Sequence, residues 1–547
     1  MEALSALSVA TAVAQFIDFG TKILSGAREI YCSTTGLTAD NKTVELVVGE
    51  VEAWCSRLQN SNTVSARTPE QDSVCRLSSQ CEELSKELLQ LIKRCASNAT
   101  KSKRAALRAA IKFKRHEGDR YRLLNRLKEC QQQLFICVQN MDRTEFKRKF
   151  RRLADDGLNN LDVLNKKLDD IHRSLKGSSL PSDVHSLLNG FLDIPGQALA
   201  ESRILQGLAY ASMHHRMEQV EEAHFGTFRW ILDGQIPEHK LYRERFTEWL
   251  RHGTDVFHIT GKLGSGKSTL MKFLATNKTV LDTLNQWAEG RKLVVARFFF
   301  WRPGTIEDKT IDGLLRGLLH DVLKGCQDMI PTVFPNQWKE SLMRDWRLDY
   351  RVRISKEDVR SAFDRLLHSD QLYSRYRICF FIDGLDELVE TCHEDYRDIV
   401  ELLRRWISMA PLDLKLCISL RNYSVFGTLA VDEKRLQLHE LTRQDMLKFV
   451  KHRLEALEIH DHTKCDPKGI FVDEVVNRAD GVFLWVALVL KSIRTAMNHE
   501  NRLDMLLKRL QGIPRDMEAL VDHLLCWDDS SDRISAYRTF ALEDIRN

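Results

Sequence analysis

Residues Gly261 to Thr269 read GKLGSGKST. The stretch fits the spacing G-x-x-x-x-G-K-[ST], with Gly261, Gly266, Lys267 and Ser268 at the fixed positions. An apolar run (Val256, Phe257, Ile259) precedes it, and a helical pattern with Leu270, Phe273 and Leu274 on one face follows. That strand–loop–helix context is what a phosphate-binding loop requires. Glycines let backbone N–H groups approach phosphate oxygens with no Cβ in the way. The following helix offers its unpaired N–H groups and positive dipole end to the anion. Gly261, Gly264, Ser265, Gly266, Lys267, Ser268 and Thr269 are therefore the expected phosphate cradle. Lys267 is expected on the β- and γ-phosphates and the Ser268 hydroxyl on Mg²⁺.

Working outward, ICFFIDGLDEL (Ile378 to Leu388) is an apolar strand ending in Asp383. Ligands of open α/β sheets sit at the carboxyl ends of strands, so Asp383 is expected at the metal beside Ser268. Asp386 or Glu387, three and four residues later, can orient or polarise the attacking water. KLCISLRN (Lys415 onward) puts Arg421 just past another central strand. It is either a guanidinium that reads the γ-phosphate or a structural ion-pair partner.

The central region, 226–428, alternates strand and helix. Val294 to Trp301, Ile378 to Ile382 and Leu414 to Ile418 are nearly continuous apolar runs, which suit a parallel sheet covered on both faces. With the strand before the loop, at least four central strands are expected. Ile311 to Leu323 and Asp358 to Leu367 are the expected crossover helices. Residues 1–176 read as an all-helical bundle, with apolar ladders through Leu4–Ile23, Val44–Leu58, Leu77–Ile92 and Leu123–Val138. Leu161, Leu164, Leu168, Ile171 and Leu175 form a short heptad-like seam. Residues 177–225 are a linker and connector helix, opened by the turn-forming run Gly177 to Ser182. Residues 429–547 are helical again, including Asp445 to Leu457, Asp473 to Arg494 and Arg502 to Leu510.

Two histidine groups invite a metal reading. His214 and His215 lack further ligands at fixed spacing and read as a surface pair; His460, His462 and Cys465 read as a polar turn.

With 81 Lys plus Arg against 77 Asp plus Glu, the net charge of +4 gives no sign of a nucleic-acid channel. Basic residues do cluster locally, from Lys101 to Arg115 and from Lys147 to Arg152. They are a solvated face or a surface for anionic lipid or an acidic partner. The 13 cysteines include no C-x-x-C pair; Cys95, Cys137, Cys379 and Cys417 are expected as reduced, buried thiols. The uncharged stretch Ala3 to Ile17 is too short to span a membrane and lacks a basic lead, so a cytoplasmic protein is expected.

The loop, the apolar run ending in DGxDE and the strand ending in Ser-x-Arg resemble the NACHT class of signal-transducing P-loop NTPases. HFGTFRWIL (His224 to Leu232), ARFFFWRPGT (Ala296 to Thr305), LHELTRQDM (Leu438 to Met446) and GVFLWVALVL (Gly481 to Leu490) resemble fungal, nephrocystin-like NACHT modules. The opening, Met1 to Tyr31, is similar to the HeLo-like and SesA-like helical domains of fungal STAND proteins. The resemblance implies a multidomain chain: an N-terminal all-α effector-like bundle, a central α/β P-loop NTPase, and a C-terminal helical lid with a winged-helix-like region. It implies ATP or GTP with Mg²⁺, slow hydrolysis with Asp386, Glu387 and Arg421 in catalytic roles, and homo-oligomers on activation. It further implies a part in non-self recognition, heterokaryon incompatibility or regulated cell death. In two places the chain departs from the pattern. Ser419-Leu420-Arg421-Asn422 replaces the usual fungal Ser-Ser-Arg-Pro, and no repeat period follows the lid. A scaffold holding nucleotide without turnover, and a membrane-acting effector with its contact in the N-terminal bundle, are the competing readings.

Overall fold

The computed structural model describes residues 2–31, 48–53, 56, 69–95, 116–141, 143–144, 146–148, 151, 182–224, 226–233, 237–343, 352–391, 394–429, 434–455, 467–497 and 503–525. The chain divides into two compact units, 1–203 with 339–351, and 204–338 with 352–547.

In the first unit α1 (Glu2–Tyr31), α2 (Pro69–Cys95) and α3 (Glu117–Asn140) pack on one another, and α4 (Ser182–Leu208) adds Leu188, Phe191 and Ile194 to their core. Val9, Ala10, Val13, Ala14, Phe16 and Ile17 are all buried there. From Val9 to Ile17 the uncharged face of α1, a candidate membrane contact, is thus spent on the bundle's own core. Of the basic residues, Arg151 grips the buried Glu201 with two bonds of 2.6 and 3.0 Å, and Lys147 reaches the same carboxylate at 2.9 Å. They answer an internal charge rather than a lipid surface. The run from Lys101 to Arg115 and the seam from Leu161 to Leu175 lie outside the described residues. Among the described residues no helix is long and apolar enough to cross a membrane.

The second unit is built on a five-stranded parallel sheet in the order β2-β3-β4-β1-β5. Its strands are β1 (Asp255–Thr260), β2 (Lys292–Phe299), β3 (Tyr376–Asp383), β4 (Leu414–Leu420) and β5 (Arg435–Gln437). The apolar runs become strands because every residue of β3 and β4 is buried, as a sheet covered on both faces demands. The edge strand β5 carries the sheet past position 428. Its crossovers start on satisfied caps. Ser355 and Asp358 form a capping box at Lys356–Leu367, and Asp395 and Asp398 form another at Tyr396–Met409.

Beyond the sheet the described elements are helices. The stretch expected as one helix from Asp473 to Arg494 is two, Pro467–Ala479 and Phe483–Met497. The break is Asp480-Gly481, both at positive φ (45° and 82°). A Cβ on Gly481 would meet the His439 carbonyl oxygen at 2.3 Å, so only glycine lets the turn close there. The chain is therefore a multidomain protein: a helix bundle, an α/β module of P-loop NTPase type, and a helical C-terminal region. Cys379 and Cys417 are buried, while Cys137 is only half-buried; burial pushes the Cys379 thiol up to about 12.

Candidate functional site

Register decides which residues meet. Thr260, the last residue of β1, pairs with Leu420 of β4, and Ile382 of β3 pairs with Ile418. The turns following β1, β3 and β4 therefore emerge side by side at one carboxyl edge. Gly261–Gly266, Gly384–Glu387 and Arg421 are those turns.

The loop after β1 is shaped by Gly264 and Gly266, at φ 71° and 93°. A Cβ on Gly261 would lie 2.7 Å from the Ser265 hydroxyl. Lys267 opens the helix Lys267–Thr276, whose Leu270, Met271, Leu274 and Ala275 are buried. Its Nζ turns back to donate to the carbonyls of Gly261 (2.9 Å) and Lys262 (3.1 Å). Burial holds the Lys267 amine below its usual range, against the pull of Asp386 and Asp383. The Ser265 hydroxyl is buried with no hydrogen-bond partner among the described residues.

Asp383 is fully buried, and burial raises its carboxyl above the usual range. The hydroxyls of Ser419 and Ser268 both hydrogen-bond it and oppose that rise. Ser419 also accepts the Gly384 N–H at 3.0 Å, which fixes the turn after β3. Lys267, Ser268 and Asp383 thus converge on one place. Asp386 is held by Arg421 twice: the backbone N–H at 2.9 Å to Oδ1 and the guanidinium Nε at 3.0 Å to Oδ2. Glu387 accepts the Arg302 N–H at 3.1 Å, and burial raises its carboxyl too. The two acids that the sequence leaves interchangeable are now distinct. Both line the cavity, but Asp386 is engaged with Arg421 while Glu387 accepts only the Arg302 N–H among the described residues.

Lys267, Ser268, Ser419, Asp386, Glu387 and Arg421 line a cavity of about 430 Å³, a size that suits a small-molecule ligand, while Asp383 is buried and meets it through its bonded partners Ser268 and Ser419. The loop residues Gly264 through Thr269 line it; Gly261 sits behind them, buried. Its other wall is aromatic: Phe228, Phe449 and Phe483, with His224 edge-on to Phe449 at 5.1 Å. The helix Phe483–Met497 touches the loop directly, through the Leu484 N–H to the Gly264 carbonyl at 3.0 Å. Lys262 pairs with Asp480 at the same junction.

Arg216 and the backbone position of Phe228 have weak sequence signals. Arg216, on the short helix His215–Gln219, lines the cavity and acts electrostatically on both Asp383 and Glu387. Phe228, at φ 61°, is fixed by its N–H to Asp445 Oδ2 at 2.9 Å, and Trp230 Nε1 donates to the same oxygen at 2.8 Å. That one carboxylate joins HFGTFRWIL to LHELTRQDM, two stretches singled out separately in the sequence. A lone Arg216 in a connector carries no motif. His214 and His215 do not form a pair: His214 faces Asp321, and His215 faces Gln219. His460, His462 and Cys465 lie outside the described residues.

A donor set of this kind fits a nucleotide and a hard cation. The loop presents a hydroxyl with nothing to bond, a lysine resting on carbonyls it can exchange, and a hydroxyl–carboxylate pair of the oxygen type that Mg²⁺ takes. No curated protein matches the chain. Among solved structures it is similar to Cdc6p from Pyrobaculum aerophilum, at 13% identity over 50% of this chain and 67% of that one, with a TM-score of 0.28. Residues 226–421, which run from the start of the module through Arg421, match the family described as nephrocystin 3, N-terminal.

Proposed function

We propose that the second unit binds a nucleoside triphosphate with Mg²⁺ and uses it as a switch, in the manner of the NACHT-type STAND proteins whose motifs it resembles. The observation that supports this most is the convergence of Lys267, Ser268 and Asp383 beside an orphaned Ser265 hydroxyl. Lys267 would exchange its two carbonyl partners for phosphate oxygens, and Ser265 would gain its missing partner. Ser268 and Asp383 would hold the cation, which supplies charge neutralisation at the phosphates when bound. Glu387, kept more basic than an ordinary carboxylate by burial, would take the proton of a water at the cavity. Phe228, Phe449 and Phe483 would wall in the base.

The switch reading extends to the chain as a whole. Residues 1–176 would serve as the effector, 177–225 as the connector, 226–428 as the NTPase module and 429–547 as the lid. Slow hydrolysis, self-association in the triphosphate state, a cytoplasmic location and a part in fungal non-self recognition or regulated cell death complete it. Differential affinity for two states is what such a switch needs, and the lid's bond to the phosphate loop is a contact that a ligand can strengthen or break.

Filter binding of labelled ATP and GTP to the full chain tests the proposal. Wild type retains nucleotide, Lys267→Ala loses more than about 100-fold in affinity, and Glu387→Gln retains ATP without releasing phosphate. Equal retention by wild type and Lys267→Ala defeats it.

One observation favours a second reading, a nucleotide-holding scaffold without turnover. Arg421 is engaged with Asp386 through its backbone N–H and its Nε, so part of a guanidinium that lines the cavity is already spent on an internal ion pair. Bound diphosphate that never exchanges in wild type would support that reading over the switch.

A further inference from the structure

The nucleotide cavity leaves unused a histidine of the connector. His214 adopts φ 68°, the left-handed region, uncommon for non-glycine residues although histidine is among those that accept it. Its ring points at the helix Ile311–Gly325, which carries His320 and Asp321 in succession. His214 Nε2 stands 3.2 Å from Asp321 Oδ1, and His320 Nδ1 stands 3.4 Å from that same oxygen. The other carboxylate oxygen, Oδ2, accepts the backbone N–H of Arg297 in β2 at 3.1 Å. This bond fixes the carboxylate with Oδ1 turned toward both imidazoles. One donor atom from each of the three residues falls within 4.8 Å of the other two.

Two neutral imidazoles can each donate one N–H to Oδ1, but at 3.4 Å the His320 contact is longer than a normal N–H···O bond, so hydrogen bonding leaves that ring weakly held. A cation shared by all three accounts for the set together. Metal–ligand bonds of about 2.0–2.1 Å in a tetrahedral site put neighbouring ligand atoms about 3.3 Å apart. An octahedral site with similar bonds puts them about 3.0 Å apart. The two separations, 3.2 and 3.4 Å, lie nearer the tetrahedral edge. Two imidazoles with one carboxylate suit Zn²⁺ rather than Mg²⁺ or Ca²⁺, which take oxygen ligands. The side chain of His214 is 37% exposed, against 13% for His320 and 11% for Asp321, so one direction stays open for a water as fourth ligand.

We propose that His214, His320 and Asp321 form a binding site for a zinc-class divalent cation. The site fastens the connector to the helix Ile311–Gly325, which follows β2. Its consequence for the nucleotide cavity, which alone rests on the function proposed above, is positional: Arg216 lies two residues after His214 and lines that cavity. Clasping His214 would hold Arg216 at Asp383 and Glu387.

The test uses the full chain, stripped with chelator and titrated with Zn²⁺ against a chromophoric competitor, then with Co²⁺ to read coordination from its visible bands. Wild type binds one equivalent that His214→Gln and His320→Gln each weaken by more than about 100-fold. The Co²⁺ bands have tetrahedral intensity. His215→Gln, one residue away and bonded to Gln219 instead, leaves binding unchanged. No stoichiometric Zn²⁺ binding by wild type overturns the proposal, and so does binding that survives both substitutions. If His320→Gln fails to fold, the exposed His214 carries the test by itself. Zn²⁺ must then raise the thermal midpoint of wild type and not that of His214→Gln. None of these readings requires nucleotide, so the site stands or falls apart from the switch.

Discussion

The two ends of the same sheet both bury charge, and they do so to opposite effect. At the amino end Lys415 is fully buried, yet its Nζ donates to the Trp249 and Leu250 carbonyls at 2.7 and 2.8 Å. It also lies over the Trp287 ring at 4.3 Å. Those carbonyls belong to the last turn of the helix Lys240–Arg251, where a cation answers both the orphan oxygens and the dipole. Arg377 beside it bonds the Trp287 carbonyl and pairs with Glu289 and Asp413. At the carboxyl end Lys267 rests on loop carbonyls, Ser265 has no partner, and Asp383 and Glu387 are raised by burial. Buried charge by itself therefore does not mark a site. What marks one is buried charge whose partners are provisional, next to glycines that hold a space open.

Substituting one lysine at each end is the largest way to break this contrast. Lys415→Met keeps the volume but orphans two carbonyls, and should cost about 2–3 kcal/mol in a urea unfolding curve at about pH 10, where the buried amine is neutral and carries no ionisation penalty. Lys267→Met should change stability by less than about 1 kcal/mol while removing nucleotide binding. Equal stability losses would erase the distinction.

Acidity sharpens it further. Burial pushes Lys415 down to about 7, whereas the unfolded chain's lysine titrates near 10.4. Between those values the unfolded state binds the extra proton, so stability rises with pH across that window and is lost as pH falls from about 10 toward 7. The urea midpoint of wild type should follow that slope, and Lys415→Met should flatten it.

The smallest effect tests the orphan. Ser265→Ala should leave the unfolding midpoint within about 0.5 kcal/mol. It should weaken nucleotide about threefold to tenfold, the worth of one hydrogen bond of about 0.5–1.5 kcal/mol. A clear loss of stability would mean that Ser265 is satisfied in the folded chain.

Much of the carboxyl end was legible because its chemistry is local. A glycine-rich turn after a strand, and acids after another strand, announce themselves within ten residues. The parallel sheet was legible for the same reason: β3 and β4 are apolar on both faces. What stayed hidden is non-local. That Arg421 would spend itself on Asp386 depends on the β3–β4 register, which no spacing within either stretch encodes. The partners of His214 lie more than a hundred residues downstream, so the pair read as an exposed dipeptide. The broken helix at Asp480-Gly481 was missed because the apolar pattern runs through it. Only the nearness of the His439 carbonyl makes that glycine obligatory. The uncharged face of α1 suits lipid or core equally well in composition, and its helix neighbours decided for core.

A single carboxylate oxygen on Asp445 receives both the Phe228 N–H and the Trp230 indole, and the other oxygen is buried with no partner among the described residues. The residues ahead of the first strand and the helix behind the last are thereby riveted at a point beside the aromatic wall. Any motion that empties the cavity has two courses: shear that rivet, exposing a poorly solvated acid, or swing both walls out as one door.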